Sequence, residues 1–408
     1  MNGWWIAVPV VVVICAELAL WGMIRAWRPR FQWLTTRADE TPQIDDALIE
    51  KHRAHGFDPD LGWVRKPGES GVDQTIHGPK SYAVDALGCR QNPGFEGARS
   101  EVAIFGDSYA FCRLVSDAET WPHLLSQRLN TNVQNYGVGN YGLDQALLRF
   151  EQERSRLEAQ TIVMAVVPET IARIHSYWKH YFEYGNTLAF KPRFTLEDGN
   201  LHLHSSAIRD PSDYKDYTGQ LATIQRLDAF YRTKFRRDQL AFPVLPRVVA
   251  RATRHGRIFW HLAAGSVCGR WENGWRKAFG VVLQENARHT ARLYRDPKAC
   301  ALLKAIIQRF AQNCEVSGRQ GILVIIPQPM DLERRPAGGR DYQDFFRLLG
   351  DCLPVVDLTE TIKKVGDWRG LFIDGRLGPH LNASGNRLVA ERLAPQLERL
   401  LIQPAVLD

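Results

Sequence analysis

The chain has 408 residues, of which 45% are apolar and 24% are charged, and its formal net charge is +7. This composition excludes a disordered or fibrous protein and leaves room for one large domain or two ordinary ones. The positive charge suits an anionic polymer or an anionic membrane surface, but neither a zinc-finger spacing nor an aromatic RNA-binding signature points to nucleic acid. The seven cysteines contain no CxxC pair, so neither a disulfide framework nor a zinc site is predicted.

The first predicted element is an N-terminal membrane anchor, residues 1–27. The stretch from Trp4 to Ile24 is apolar apart from Glu17, and about 20 apolar residues span a bilayer. No positive side chain precedes it and no cleavage site is clear, which argues against a removable signal peptide. Arginines follow it at once, so a single-pass membrane protein with a cytoplasmic folded part is favoured. Glu17 either faces a partner helix or snorkels to the interface.

Residues 28–99 form a loop-rich lead-in with one helix near residues 44–55. After it, short apolar runs alternate with helical patterns at residues 121–129, 143–157, 299–314 and 386–401. The runs predict parallel strands at Val102–Phe105, Asn132–Tyr136, Ile162–Val167, Ile322–Ile326 and Val355–Leu358. Strands that alternate with helices predict an α/β fold, a doubly wound parallel sheet with helices on both faces. Its two parts are residues 100–170 and 299–402.

Between these parts lies a mainly helical insertion, residues 171–298. It opens with aromatic and histidine side chains at 175–182, which either stack on sugar rings or form a core. A hairpin with its turn at Asp198-Gly199 follows. From residue 232 to 277 eleven Lys/Arg oppose two acids, a net charge of +9, and Arg247, Arg251 and Arg254 fall on one helical face. This basic stretch is either a docking surface for an acidic polymer or an anionic bilayer, or a solvated face. The histidine spacings do not fit helix-borne zinc, so no metal is predicted.

The candidate chemistry begins where the first strand of the sheet ends, at Gly106-Asp107-Ser108. A glycine permits a tight turn there, and the serine hydroxyl is left at the carboxyl edge of the sheet, where α/β sites lie. Far along the chain, His380 stands in a Gly-Pro-His-Leu-Asn run before the last predicted helix. A serine beside a histidine indicates nucleophilic acyl chemistry.

These segments resemble the GDSL/SGNH hydrolase superfamily, esterases and deacetylases on a flavodoxin-like sheet. The resemblance covers roughly residues 100–170 and 300–402. It implies that Ser108 is the nucleophile, that its backbone N–H is an oxyanion donor, and that His380 is the base. Asn140 aligns with the glycine of the second family block, so the resemblance implies that its backbone N–H is a further oxyanion donor. Asparagine suits this position because it tolerates left-handed backbone geometry better than other non-glycine residues.

Two blocks depart from the family pattern. In the third, Glu169 or Thr170 replaces an asparagine, so Thr170 or a protonated Glu169 is the expected oxyanion donor. In the fourth, Leu377 stands where the family has an aspartate. The triad acid is then Asp374 or Asp357, unless the site is a Ser–His dyad without an acid.

The resemblance implies a serine esterase that removes ester-linked acyl groups, with acetyl on a carbohydrate or polysaccharide favoured and lipid or small esters left open. No cofactor is required by this chemistry. Two alternatives follow from the altered blocks. One is a catalytically degenerate binding or scaffold protein with the same fold. The other is an O-acyltransferase that uses the same Ser–His pair.

Overall fold

The computed structural model describes residues 4–31, 34, 40–333, 342–375 and 378–402. Its strands are β1 Phe57–Asp58, β2 Gly62–Trp63, β3 Ser70–Thr75, β4 Gly78–Ala83, β5 Ser100–Gly106, β6 Asn132–Asn135, β7 Thr161–Val166, β8 Arg193–Glu197, β9 Asn200–His204, β10 Gln320–Ile325, β11 Val355–Asp357, β12 Phe372–Ile373 and β13 His380–Leu381. Its α-helices are α1 Trp4–Trp27, α2 Asp46–His55, α3 Ser108–Phe111, α4 Trp121–Leu129, α5 Leu143–Glu153, α6 Thr170–Arg173, α7 Leu221–Leu227, α8 Arg236–Asp238, α9 Val244–Ala250, α10 Ala252–Val267, α11 Trp271–Leu293, α12 Pro297–Val316, α13 Pro329–Glu333, α14 Tyr342–Arg347, α15 Thr359–Lys363 and α16 Ala383–Ile402.

The chain divides into two compact units. The anchor unit comprises residues 1–49, 176–190 and 210–289, and the sheet unit comprises residues 50–175, 191–209 and 290–408. The division differs from the sequence-based segments in two places. Most of the lead-in groups with the sheet, and so does the β8–β9 hairpin, which lies within the predicted insertion.

The sheet unit is built on a five-stranded sheet with the order β11-β10-β7-β5-β6, and every pairing in it is parallel. The five predicted strands are therefore confirmed. Counted along the chain, this order is 2-1-3-4-5, the flavodoxin-like arrangement, and β5 lies between β6 and β7 where the winding reverses direction. Ligands of such sheets bind at the carboxyl ends of the strands beside this reversal. Ser108 follows β5 at this position.

Helices cover both faces of the sheet because successive strand residues point to opposite sides. On one face Phe105 packs with Phe150 of α5 and with the buried side of α12. On the other, Ile104 lies in a cluster with Trp121 of α4 and the apolar stripe of α16. The predicted doubly wound α/β fold therefore has a large core on both faces of its sheet. Replacing one such buried ring with alanine lowers the free energy of unfolding by about 3–5 kcal/mol.

The lead-in has more regular structure than its loop-rich sequence suggests. The helix expected near residues 44–55 is α2, and it is followed by the antiparallel pairs β1–β2 and β3–β4. Asp73 of β3 binds Arg113 through an ion pair of 2.7 Å and accepts the Leu114 N–H. The lead-in thus holds the loop that follows α3, just beyond Ser108.

The aromatic residues at 177–182 form the core of the anchor unit. Trp178 and Tyr181 are fully buried, and the Trp178 ring stacks on Phe190 at 4.6 Å. Tyr181 packs against Phe235 at 4.9 Å. Asp228 accepts the backbone N–H groups of Tyr177 and Trp178, which fixes the strand-like entry of this segment. The sequence left two interpretations of these rings open. They form a core, and the interpretation that they stack on sugar rings is wrong because they are buried.

Part of the basic stretch is also internal. α9 ends at Ala250 and α10 begins at Ala252, so the expected continuous helical face of three arginines is broken at Arg251. Arg251 and the buried Arg254 both pair with Asp238, at 2.8 and 3.4 Å. Burial lowers the pKa of Lys234, which lies 3.7 Å from the same carboxylate, to about 7. Lys234 and Arg254 are therefore buried beside Asp238, and Arg251 is half-buried there, so these three basic side chains do not form a solvated face.

α1 is the one helix among the described residues that is long and apolar enough to cross a membrane, with its candidate span at Val8–Arg30. Most of this span is exposed. A signal sequence passes the same test of length and composition, and neither property assigns a side of the membrane.

Candidate active site

The turn after β5 is shaped by a close approach between neighbouring strands. A Cβ atom on Gly106 would lie 1.9 Å from the carbonyl oxygen of Ala165 on β7, so only glycine fits there. The next residue, Asp107, is the N-cap of α3 and accepts the Tyr109 N–H at 2.8 Å. The strand can therefore end abruptly, and Ser108 becomes the first residue of a helix at the edge of the sheet.

Asp107 ties this turn to the loop after β7. Its second carboxylate oxygen accepts the Val167 N–H at 3.0 Å and a guanidinium N–H of Arg173 at 3.2 Å. Burial raises the pKa of Asp107, while the Arg173 charge and the backbone N–H groups oppose that rise. Because two partners donate to one oxygen and the Tyr109 N–H donates to the other, Asp107 serves as a structural clamp behind the serine.

Ser108 and His380 are in direct contact. Ser108 Oγ lies 2.8 Å from His380 Nε2, and both side chains are only 8% exposed. His380 reaches the serine from the short β12–β13 ribbon, in which it pairs with Ile373. The fold thus brings together two side chains that are 272 residues apart in the chain. The distance is short enough for direct proton transfer.

The His380 ring is held from its other side by backbone and by an aromatic ring. Its Nδ1 lies 3.2 Å from the carbonyl oxygen of Gly378, whose φ of +110° favours glycine. Tyr109 stacks on the imidazole at 4.9 Å, and its hydroxyl donates to the Pro379 carbonyl at 2.7 Å. If Nδ1–H donates to Gly378, Nε2 presents a lone pair to the serine, which is the tautomer of a general base.

The surroundings of His380 keep its ring neutral. Burial and the nearby charge of Arg113 lower its pKa to about 3, against the upward influence of the Gly378 hydrogen bond and the Asp73 charge. A neutral ring at pH 7 can accept the serine proton. The same surroundings disfavour the imidazolium that this transfer creates, so the base is weak.

The structure does not bring the predicted triad acids to the ring. Among the described residues, no carboxylate accepts a hydrogen bond from His380. Asp374 is exposed, and Asp357 accepts the N–H of Thr359, the first residue of α15, at 2.8 Å. Leu377, which occupies the family's acid position, lies outside the described residues. The arrangement is a Ser–His dyad with a backbone carbonyl in the place of the acid.

The loop after β6 packs against α3, the helix that begins at Ser108. The Asn135 side chain donates to the Ala110 carbonyl at 2.9 Å and accepts the Gly137 N–H at 2.9 Å. A Cβ atom on Gly137 would lie 2.4 Å from the Phe111 nitrogen, so the two backbones are in close contact. Asn140 follows with φ +68°, the left-handed geometry that asparagine tolerates better than other non-glycine residues. This loop lies against the helix that carries Ser108.

The side chains of the third block are directed to other partners. The Thr170 hydroxyl oxygen accepts the Leu143 N–H at 2.8 Å and is fully buried, so it caps the start of α5. Glu169 accepts two guanidinium hydrogen bonds from Arg173, at 2.8 and 3.2 Å. Both bonds end on Oε2, so this oxygen of Glu169 is engaged with Arg173. Both side chains therefore have structural partners, and the oxyanion-donor role of Thr170 or Glu169 stays a prediction.

The backbone N–H of Ser108 is suited to the oxyanion role. Within the part of the chain that the structure describes, it donates no hydrogen bond, although the residue is buried. A buried N–H without a partner is unusual in a folded protein. At the first residue of a helix it also carries partial positive charge, so it is placed to meet an anion beside Oγ.

Three residues of the site were not predicted from the sequence. Tyr109 stacks on the base, Arg173 links two carboxylates, and Asn135 joins the second block to α3. Tyr109 could have been predicted as a site residue, because it directly follows the nucleophile in the sequence. Arg173 and Asn135 had no such sequence signal, because their roles depend on loops that meet only in the folded chain.

Together, the fold and the site define a class: a flavodoxin-like α/β protein with a buried Ser–His pair at the carboxyl edge of its parallel sheet. No protein-family model matches the chain, and no curated protein matches its sequence. The chain is similar to a solved structure assigned to the lipolytic G-D-S-L family from Desulfitobacterium hafniense DCB-2, with 11% identity, 73% of this chain and 99% of that chain covered, and a TM-score of 0.32. A second, from the lipolytic G-D-S-L family of Veillonella parvula DSM 2008, shows 11% identity, coverage of 74% and 100%, and a TM-score of 0.32. The description of the protein as a flavodoxin-like α/β protein with a Ser–His pair depends on the strand order and on the Ser108–His380 contact.

Proposed function

We propose that the protein is a serine hydrolase that cleaves carboxylic esters. The observation that carries the proposal is the 2.8 Å contact between Ser108 Oγ and His380 Nε2. In the first half-reaction, His380 accepts the hydroxyl proton as Oγ bonds to the carbonyl carbon. The tetrahedral intermediate then expels the alcohol, which takes the proton from His380. Water repeats the sequence on the acyl-enzyme, releasing the acid and restoring the serine.

The developing oxyanion needs donors on the same side as Oγ. The Ser108 backbone N–H supports this role because it is buried and makes no hydrogen bond among the described residues. The left-handed backbone of Asn140 supports a second N–H from the loop after β6. Removing one such donor costs about 10²- to 10³-fold in rate, so a site with only backbone donors is expected to be a modest catalyst.

The Gly378 carbonyl takes over one task of the absent acid. By accepting from Nδ1 it holds the imidazole in the tautomer that can deprotonate the serine. It carries no full negative charge, so it stabilises the imidazolium less than a carboxylate does. We therefore expect a low kcat, and we expect this activity to be lost when either Ser108 or His380 is replaced.

The substrate class is the finer part of the proposal. Acetyl groups on a carbohydrate or polysaccharide follow from the family resemblance alone, since the aromatic residues considered for sugar stacking are core residues of the anchor unit. A panel of acetylated oligosaccharides beside short-chain and long-chain p-nitrophenyl esters tests it. A preference for the long acyl chains would replace the carbohydrate with a lipid.

Ester hydrolysis itself is tested with p-nitrophenyl acetate. Ser108→Ala and His380→Ala are each expected to lower kcat/KM by at least about 10³-fold. The matched controls are Ser81→Ala and His55→Ala, because both residues are exposed in the sheet unit and lie outside the site. Equal activity of all five proteins would end the proposal. An alcohol acceptor added to the same assay detects the O-acyltransferase alternative as acyl transfer that outruns hydrolysis.

A binding or scaffold protein is the second candidate function. It is favoured by the third block, where Thr170 caps α5 and Glu169 pairs with Arg173. In that case the Ser108–His380 pair is a relic, and the wild type hydrolyses no ester faster than Ser108→Ala does. The same panel therefore separates the two candidates.

We also propose that α1 is a single-pass membrane anchor. Its exposed apolar surface from Val8 to Cys15 supports this, because such a surface is unfavourable in water. The arginines after the helix support a cytoplasmic folded part. Carbonate extraction of membranes tests the anchor, and reporter fusions at the C-terminus test the side. A processed N-terminus in the mature protein would show a signal sequence instead.

A further inference from the structure

The two halves of α1 have different surroundings. From Val8 to Cys15 every residue is exposed. From Glu17 onwards, one side of the helix is covered by other parts of the anchor unit. Glu17 is 8% exposed and Ile24, two turns later, is 1% exposed. Residues seven apart lie on the same side of a helix, so a single stripe of α1 is covered. The remaining sides of this half stay open.

The cover is the segment that leads into α9. Trp21 meets the ring of Phe242 edge to face at 6.5 Å. The Glu17 carboxylate accepts the backbone N–H groups of Val244 and Leu245, the latter at 2.7 Å. These are the first two residues of α9, and the preceding residue, Pro243, supplies no side-chain cap. Glu17 therefore caps α9 from another helix, which answers the question that the sequence left open about this carboxylate.

This contact lies deep within the anchor. α1 has 24 residues and is about 36 Å long, slightly more than the roughly 30 Å of a bilayer's hydrocarbon core. Glu17 precedes Trp27 by ten residues, or about 15 Å of helix. If α1 crosses the membrane, the first turn of α9 therefore enters the hydrocarbon. Unpaired N–H groups are strongly unfavourable there, and so is an unpaired carboxylate. Their mutual hydrogen bonds satisfy both.

The outer surface of the α9 segment fits this location. Its fully exposed residues are apolar, and its one charged residue, Arg247, is half-buried in the last turn of α9: the exposed set is Phe242, Pro243, Pro246, Val249 and Ala250. Phe242 and Val249 are 63% and 65% exposed, which is unfavourable for large apolar side chains that face water. The patch they form is continuous with the lipid-facing side of α1 through the Trp21–Phe242 contact.

We propose that residues 242–250 form a membrane-inserted segment that lies beside α1 in the leaflet that holds the C-terminal half of α1, with lipid acyl chains on its outer face. Glu17 is the residue that makes this insertion tolerable, because it caps the helix start within the membrane. The inference rests on α1 as a membrane span and not on the proposed esterase activity. The chain would then hold the membrane through two segments and have less freedom to tilt about a single helix.

The test is photolabelling of the full chain in phosphatidylcholine nanodiscs. A diazirine-bearing leucine analogue is placed, one position at a time, at Phe242, Val249, Val12 and Val316. Val12 lies in the exposed half of α1 and is the positive control, and Val316 of the sheet unit is the negative control, being 78% exposed. We expect phospholipid adducts at Phe242 and Val249 within about threefold of the yield at Val12, and at least tenfold above that at Val316. Yields equal to Val316, or a cross-link to a second copy of the chain in place of lipid, would overturn the proposal.

Glu17 is tested by amide hydrogen exchange in the same nanodiscs. Glu17→Leu removes both acceptors, and Glu17→Gln retains a carbonyl oxygen that can accept. We expect exchange at Val244 and Leu245 to accelerate at least tenfold in Glu17→Leu and clearly less in Glu17→Gln. Unchanged exchange in Glu17→Leu would overturn the capping role. If Glu17→Leu does not fold, the proposal is tested by amide exchange at Val244 and Leu245 in Glu17→Gln and by photolabelling of the chain that retains Glu17.

Discussion

The pH dependence of ester hydrolysis gives the sharpest view of how His380 works. Burial and the Arg113 charge lower its pKa to about 3. The neutral ring is the active form, so acidification inactivates the enzyme only as the pH approaches that pKa. We therefore expect kcat/KM to stay flat from pH 7 to pH 5, whereas an ordinary catalytic histidine is already protonated at pH 5.

The two cases differ by a large factor. At pH 5 a histidine with the usual pKa of about 6.5 is only about 3% neutral, while one with a pKa of about 3 is about 99% neutral. The assay is p-nitrophenyl acetate hydrolysis in a constant-ionic-strength buffer. Protein returned from each pH to pH 7 must recover its activity, which separates titration of the base from acid unfolding. An acid limb near pH 6.5 would refute this view of the site.

Arg113→Gln sharpens the same prediction. The variant removes a positive charge and leaves the nearby Asp73 carboxylate, whose charge raises the pKa of His380. Both effects favour the imidazolium, so the acid limb should move to higher pH while the plateau rate is retained or rises. Arg128→Gln, which removes an exposed ion pair between α4 and Glu398 of α16, is the control. An acid limb that stays in place or moves to lower pH would show that the Arg113 charge does not act on the base.

Four further outcomes are expected. Tyr109→Phe keeps the ring stack and loses the hydrogen bond to Pro379, so kcat should fall about three- to tenfold with KM unchanged and a stability loss of about 1 kcal/mol in urea. Gly106→Ala should destabilise the sheet unit by about 3 kcal/mol or abolish folding, seen as a lower Tm, because its Cβ meets a backbone oxygen. Thr170→Val should lose about 1–3 kcal/mol of stability, by urea titration, with kcat within about threefold, and a larger fall in kcat would restore the donor role. Stability at pH 5 should be lower than at pH 7 by thermal unfolding, because burial lowers the pKa of His175 to about 4 and of His255 to about 3, so the unfolded chain takes up protons that the folded one excludes.

The sheet could be predicted from the sequence because its signal is local. A short run such as Val102–Phe105, bounded by polar residues and followed by Gly106, has few structural options other than a buried strand. The predicted hairpin turn at Asp198-Gly199 was equally local, and both residues adopt positive φ in the structure. These features needed no knowledge of the distant chain.

The aromatic and basic stretches could not be assigned in the same way. Whether Trp178 stacks on a ligand or on Phe190 depends on which rings the fold places beside it. Arg254 similarly looked solvated because its partner, Asp238, lies on another helix. A core and a binding surface can have the same amino-acid composition, and only tertiary packing distinguishes one from the other.

The partner of His380 had no sequence signature at all. The family pattern directs attention to carboxylates, and Asp374 was the nearest candidate along the loop. The structure offers the Gly378 carbonyl instead, through a glycine with positive φ. Any residue carries a carbonyl, so a motif search cannot identify this contact. The nucleophile and base were easier to predict because their chemistry requires particular side chains.

The central claim is that Ser108 is a nucleophile activated by His380, and covalent labelling tests it most directly. The full chain is treated with a fluorophosphonate at pH 7, and the labelled peptide is identified by mass spectrometry. The account predicts one adduct, on Ser108, that forms at least about 10²-fold more slowly in His380→Ala and at an unchanged rate in His55→Ala. No adduct in the folded wild type, or an adduct on a different residue, would contradict it.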